Sequence, residues 1–166
     1  MLHHKLIAGE HPGTYRVIDL VTDDDLLTIA QEIARNKLAK GIAITDKHLA
    51  TQALQGLLQS REREVFVAIF LDNQHRILAY EELFLGTLAA ATIHPREIVK
   101  QALHHNAAAV LLAHNHPSGY AEPSCADIEI TQLVKDALRL IEVRLLDHLV
   151  VSACECVSLT ERGLLT

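Results

Sequence analysis

The chain has 166 residues, of which 49% are hydrophobic and 22% charged. That balance fits one compact globular domain, and seven Gly and four Pro exclude collagen-like, linker-like and Pro-rich disordered classes. A formal net charge of −6, no Lys/Arg run and few aromatic side chains argue against gripping phosphates or stacking bases, so specific nucleic-acid binding is not expected.

No apolar stretch approaches the ~20 residues of a membrane-spanning helix. The segment from Met1 to Ala8 is too short an apolar core for a signal peptide. The expected location is therefore cytoplasmic, with no membrane partner.

Residues 1–20 carry no clear period and are expected to wrap the surface. Asp23-Asp24-Asp25 supplies N-cap candidates for a first helix, along which Leu26, Leu27, Ala30, Ile33, Ala34 and Leu38 recur at helical spacing until Gly41. Thr45 or Asp46 caps a second helix with Leu49, Ala53, Leu54, Leu57 and Leu58 on its apolar face. From Val65 to Leu71 the run is continuously apolar, as in a strand buried on both faces. Asp72 to His75 reads as its turn and Arg76 to Phe84 as the returning strand of a hairpin.

Pro95 opens a third helix at its first position, with Ile98, Val99, Ala102 and Leu103 inward. Ala107 to Ala113 predicts another buried strand, followed by a polar loop from Asn115 to Pro123. Ser124 starts an amphipathic helix carrying Ile128, Ile130, Leu133, Val134, Leu138 and Ile141. Two strands, about 145–151 and 154–159, close the core. This order predicts an α/β fold, a mixed β-sheet sandwiched by helices. Residues 1–45 read as an N-terminal helical extension and 46–166 as the main domain. Cys125, Cys154 and Cys156 are an odd number and fit no disulfide framework; Cys154 and Cys156 read as packing thiols on one side of a strand.

One segment carries chemistry: His114-Asn115-His116-Pro117-Ser118-Gly119, then Ser124 and Asp127. Side chains two apart at a strand end point the same way, so His114 and His116 can approach one ion. Asp127, at the start of the next helix, can return across the loop with a carboxylate oxygen. Two His and one carboxylate, with a fourth position left to water, is the pattern of a catalytic zinc site. The His pair alone says little, because eleven histidines give about 0.7 such pairs by chance. The downstream Ser-x-x-Asp makes the pattern specific. It also has a bland reading as a variant capping box, and an Asp that ligates metal is not expected to reach back to the cap as well.

The string His-x-His, ten residues, Asp resembles the JAMM motif of JAB/MPN metalloproteases. More narrowly, Leu85-Gly86-Thr87, His94-Pro95-Arg96-Glu97, Asn106 to Val110, Ala113 to Gly119 and Leu146-Asp147-His148-Leu149 resemble the RadC-like family, over roughly Asp46 to Leu165. The resemblance implies a cytidine-deaminase-like JAB/MPN fold, similar to zinc-dependent deubiquitinases, with a peptide or protein as substrate. It also implies an upstream Glu as catalytic partner. Full-length family members usually carry a helix-hairpin-helix module, and residues 1–45 lack its paired Gly-rich hairpin, which weakens a DNA role. The family's Gly-rich turn after Leu-Asp-His-Leu is replaced here by Ser152 to Cys156.

The expected activity is a Zn2+ metallohydrolase cleaving a peptide or isopeptide bond. His114, His116 and Asp127 hold the metal, a Glu takes the water proton, and Ser124 hydrogen-bonds the developing oxyanion. Four glutamates compete as base: Glu62, Glu64, Glu81 and Glu82. Glu64 is preferred because it immediately precedes the buried run, with Glu82 next. The alternative function is a nucleic-acid-associated accessory protein in repair or recombination. A homodimer stays open. His94 is expected as a helix N-cap, His148 as a hydrogen-bonded structural histidine, and His3-His4 and His104-His105 as surface pairs.

Overall fold

Seven consecutive apolar residues form an interior strand because helices cover both faces of the sheet they enter. The computed structural model describes residues 3–86 and 93–165, so Thr87 of the family-like Leu85-Gly86-Thr87 string lies outside the described residues. A hairpin of β1 (Leu6–Ala8) and β2 (Tyr15–Val17) precedes helices α1 (Asp23–Lys37) and α2 (Lys47–Leu58). Strands β3 (Val65–Leu71) and β4 (Ile77–Leu85) follow, then helix α3 (Pro95–His104) and strand β5 (Ala109–Asn115). Helix α4 (Cys125–Arg139) and strands β6 (Arg144–Val151) and β7 (Cys156–Ser158) complete the order.

Five strands make one mixed sheet in the order β4-β3-β5-β6-β7. The β5–β6 pair is parallel, with α4 as its crossover, and the other pairs are antiparallel. Period-two alternation divides the core. Val65, Val67, Ile69, Leu71, Leu111 and Ala113 pack with α1 and α2 through Ala34, Leu38, Leu54 and Leu58. Phe66, Ala68, Phe70, Val110 and Leu112 pack with α3 and α4 through Ile98, Ala102, Val134 and Leu138. The α/β class with a mixed sheet between helical layers is what the sequence predicted. Gly56 of α2 lets the first two helices approach, since a Cβ there would sit 3.4 Å from the Ala34 methyl.

Several local expectations are corrected. Thr22, not the Asp triplet, caps α1; its hydroxyl accepts Asp25 N–H while Asp25 reaches back to Thr22 N–H. The extension is not purely helical, because residues 6–17 pair as a hairpin whose three-residue strands bury almost nothing. The second buried strand runs two residues further than predicted, so His114 and Asn115 lie within it. Cys154 is exposed in the turn before β7, so only Cys156, half-buried and packed against the α1/α2 side of the core, fits the expected packing role. His94 is the N-cap of α3 by position, yet its side chain makes no capping bond. His105 is half-buried, its Nε2 3.3 Å from a Glu81 oxygen and its ring against Phe70.

Candidate metal centre

The site forms where β5 ends. His114 pairs with Phe66 on one side and Val150 on the other, and its ring points to the α3/α4 face like Val110 and Leu112 before it. His116 lies just past the strand, its N–H donated to Val151 O at 2.8 Å. A turn closed by Gly119 N–H to His116 O follows, with Gly119 at φ +91, a conformation glycine adopts without strain. The loop is also pinned to the β6–β7 turn, because the Glu155 carboxylate accepts Ala121 N–H.

Opposite the histidines, α4 presents Asp127, Thr131, Val134 and Leu138 as its buried stripe. Sequence reading marked Asp127 and the apolar members, missed Thr131, and added Leu133, which is exposed. The polar pair at its start faces the site because positions i and i+4 share a helix face.

Asp127 does two things at once. Its Oδ2 accepts Ser124 N–H at 2.7 Å and the Ser124 hydroxyl at 2.6 Å, and its own N–H donates to Ser124 Oγ at 3.1 Å. Its Oδ1 lies 3.2 Å from His114 Nε2, and Oδ2 lies 3.5 Å from His116 Nε2. The capping box and the ligand position are therefore compatible, contrary to the expectation that reaching back would exclude ligation. Two carboxylate oxygens suffice for both tasks.

The ligating atoms of His114, His116 and Asp127 all lie within 4.8 Å of one another, the one such group of metal-binding residue types among the described residues. The Nε2 atoms of His114 and His116 are 3.0 Å apart. His116 Nδ1 donates to Tyr120 O at 2.9 Å, and a carbonyl only accepts, so in the neutral ring the Nε2 carries the lone pair. Nitrogen and oxygen donors converging from the end of a strand and the start of a helix could hold a metal ion.

Electrostatics agree. Burial works to raise the Asp127 pKa, yet the adjoining His114 and His116 rings, which can take up a proton beside it, and the Ser124 hydroxyl hold the carboxyl far below the usual range. The Asp127 hydrogen bond lifts His116 above its ordinary value against the opposing effect of burial, with smaller contributions from Tyr120 O and the charge of Glu64.

The four glutamates separate by face. Glu64 precedes β3 with the parity of Phe66, and continuing the Phe66–His114 register brings it opposite His116. Its carbonyl accepts Gly86 N–H at 2.8 Å. The next N–H, of Val65, donates to Asn115 Oδ1 at 2.8 Å, while Asn115 Nδ2 donates to Arg61 O and Arg63 O. Glu82 pairs in register with Val67, on the α1/α2 face away from the histidines, and is ion-paired with Arg61. Glu81 pairs with Ala68 and reaches His105. Glu62 is exposed outside the strand.

His148, fully buried on β6, bonds His114 Nδ1 at 2.8 Å through Nε2 and contacts the Thr131 hydroxyl through Nδ1. Burial first, then the charge of His114, pushes its pKa well below the ordinary value. Phe66 stacks on His114 and meets His148 edge-on. Asn115 and Thr131 escaped the sequence reading as working residues, though the position of Thr131 four after Asp127 was a usable signal.

The family model for the RadC-like JAB domain matches residues 44–164. A UPF0758 protein of Cellvibrio japonicus is 53% identical over 138 residues, covering 83% of this chain and 62% of that protein. UPF0758 proteins of Vibrio cholerae and Methylibium petroleiphilum are 53% and 54% identical over 138 and 143 residues, covering 62% and 64% of their lengths. The chain thus spans about three-fifths of the length of these curated relatives. Among the described residues no helix is long and apolar enough to cross a membrane.

Proposed function

The chain belongs to the RadC-like JAB domain family, and from its metal centre we propose that it is a zinc-dependent hydrolase of a peptide or isopeptide bond. The observation that carries this reading is the convergence of His114, His116 and Asp127 donor atoms within 4.8 Å, with three protein ligands rather than a closed set of four. When bound, zinc supplies a Lewis acid that lowers the pKa of water towards ~7 and polarises a carbonyl.

The chain's own residues do the remainder. Glu64, held through both of its flanking peptide groups, takes the proton from the attacking water and returns it to the leaving amine. Ser124 keeps its hydroxyl on Asp127 in the resting site and turns it to the oxyanion as negative charge develops there. The loop from Pro117 to Pro123 borders the substrate's approach.

The test is zinc stoichiometry together with cleavage of a panel of peptide- and isopeptide-linked protein fusions. One zinc per chain, chelator-sensitive cleavage, and loss of turnover by about 10²-fold or more in Glu64→Gln with zinc retained would support the reading. Absence of zinc from the purified protein and after reconstitution would overturn it. DNA retention that weakens with salt and ignores zinc would favour the accessory role instead.

A further inference from the structure

We propose that His148 and Thr131 form a relay that fixes the ring protons of His114, holding its Nε2 lone pair free for the metal. This inference rests on the metal-binding part of the proposed function and on nothing about the substrate.

The argument starts from a carbonyl. The Thr131 hydroxyl contacts both Asp127 O and His148 Nδ1. It has one proton, and Asp127 O can only accept, so that proton goes to the carbonyl. His148 Nδ1 must then be the donor to the Thr131 oxygen. A neutral imidazole carries one N–H, which leaves His148 Nε2 as an acceptor. The proton between His148 Nε2 and His114 Nδ1, 2.8 Å apart, therefore belongs to His114 Nδ1. His114 Nε2 is left with its lone pair, facing Asp127 and His116. The opposite order would set two acceptors, Thr131 Oγ and Asp127 O, against each other in the interior; the order assigned gathers its facing acceptors, His114 Nε2, His116 Nε2 and the Asp127 carboxylate, around the one position a cation can fill.

Three features keep the order from scrambling. His148 is 0% and Thr131 1% exposed, so water does not exchange the partners. Phe66 walls both rings on the sheet side. The chain ends on Asp127, whose carbonyl sets the proton order and whose carboxylate supplies the third metal ligand. Partners behind a ligating His usually matter about 10–100-fold in metal affinity. Here a histidine and a threonine stand where a carboxylate or carbonyl is the commoner partner, so the ligand becomes directional without adding negative charge to the core.

Thr131→Val keeps the shape and removes the hydroxyl; Thr131→Ser restores it. Metal-free protein labelled with 15N at histidine should show His114 as the Nδ1–H form in wild type and Thr131→Ser. In Thr131→Val that form should lose its dominance. Zinc affinity, by competition with a chromophoric chelator, should fall about 10–100-fold in Thr131→Val and recover to within about threefold in Thr131→Ser. Near-ultraviolet circular dichroism checks that each variant is folded, and His148→Gln provides a second removal if Thr131→Val is not. A wild-type His114 in the Nε2–H form, or folded variants binding zinc as tightly as wild type, would overturn the relay. If wild type binds no zinc, the metal reading fails while the ring-nitrogen spectra still decide the relay.

Discussion

The side-chain oxygen of Asn115 accepts the backbone N–H of Val65 at 2.8 Å, so the residue between the two site histidines also fixes where the strand after Glu64 begins. The amide of the same side chain holds Arg61 O and Arg63 O. Asn115 is thus a positioning residue for the segment from 61 to 65, buried at 2% exposure with its bonds satisfied.

Asn115→Ala leaves one N–H and two carbonyls without these partners. It should destabilise the protein by about 2–3 kcal/mol, measured by urea unfolding. Zinc stoichiometry should stay at one, because the ligands are untouched. Unchanged stability would mean that water replaces the amide, and the clamp would lose its importance.

Ser124→Ala removes the cap of α4 and the hydroxyl on the Asp127 carboxylate. In metal-free protein it should cost about 1 kcal/mol, read as a lower urea midpoint at unchanged slope. Asp127→Asn in the same assay should cost about 2 kcal/mol and also abolish zinc binding. Equal zinc content in Asp127→Asn and wild type would refute the ligand assignment.

Acid should loosen the N-terminal hairpin before the core. Asp25 binds the Lys5 ammonium, caps α1 through Thr22 and lies near His3, and the Lys5 bond leads in holding its carboxyl well below the ordinary 3.8. A carboxyl depressed in the folded state stabilises fully above its unfolded pKa and loses that contribution as pH falls below it. Hydrogen exchange of Ile7 and Arg16 amides should therefore accelerate as pH drops below about 4, beyond the intrinsic trend. Asp25→Asn should remove that extra dependence. An identical pH profile in both proteins would show that another contact anchors the hairpin.

Chelation should empty the site without unfolding the domain. Two layers of buried apolar residues on a five-strand sheet carry the fold, so metal adds stability only by mass action, about 2.7 kcal/mol at a hundredfold excess over Kd. Calorimetry with and without zinc should show an upward shift in Tm between two cooperative transitions. Loss of cooperativity on chelation would make the metal structural.

The architecture was legible where hydrophobic period is strong. Val65–Leu71 is apolar throughout and is buried throughout, and the stripe of α2 was visible at helical spacing, whereas in α1 only Ala34 and Leu38 of the expected stripe are buried and Leu26, Leu27 and Ala30 are exposed. The site was legible because His114, His116, Ser124 and Asp127 lie within fourteen residues of chain. Less visible was anything decided across the sheet. Asn115 looked like a loop residue, since its partners lie fifty or more positions earlier. The face on which Glu82 projects is set by the register shift between Phe66 and Val67, which a period-two reading of the strand does not show. The β1–β2 hairpin left no trace because its strands have no buried side from which to read alternation.

The parallel pairing of β5 with β6 also dictates a schedule for synthesis. His114, His116 and Asp127 leave the ribosome before β6, so a nascent chain ending ahead of it owns every ligand but neither His148 nor the Val151 carbonyl that anchors His116. Parallel strands close only after their crossover is complete, and such non-local closure is slow. Assembly of the candidate centre in its final geometry is accordingly among the last events of maturation, and a chain truncated within α4 would carry the full histidine–aspartate signature while forming no centre.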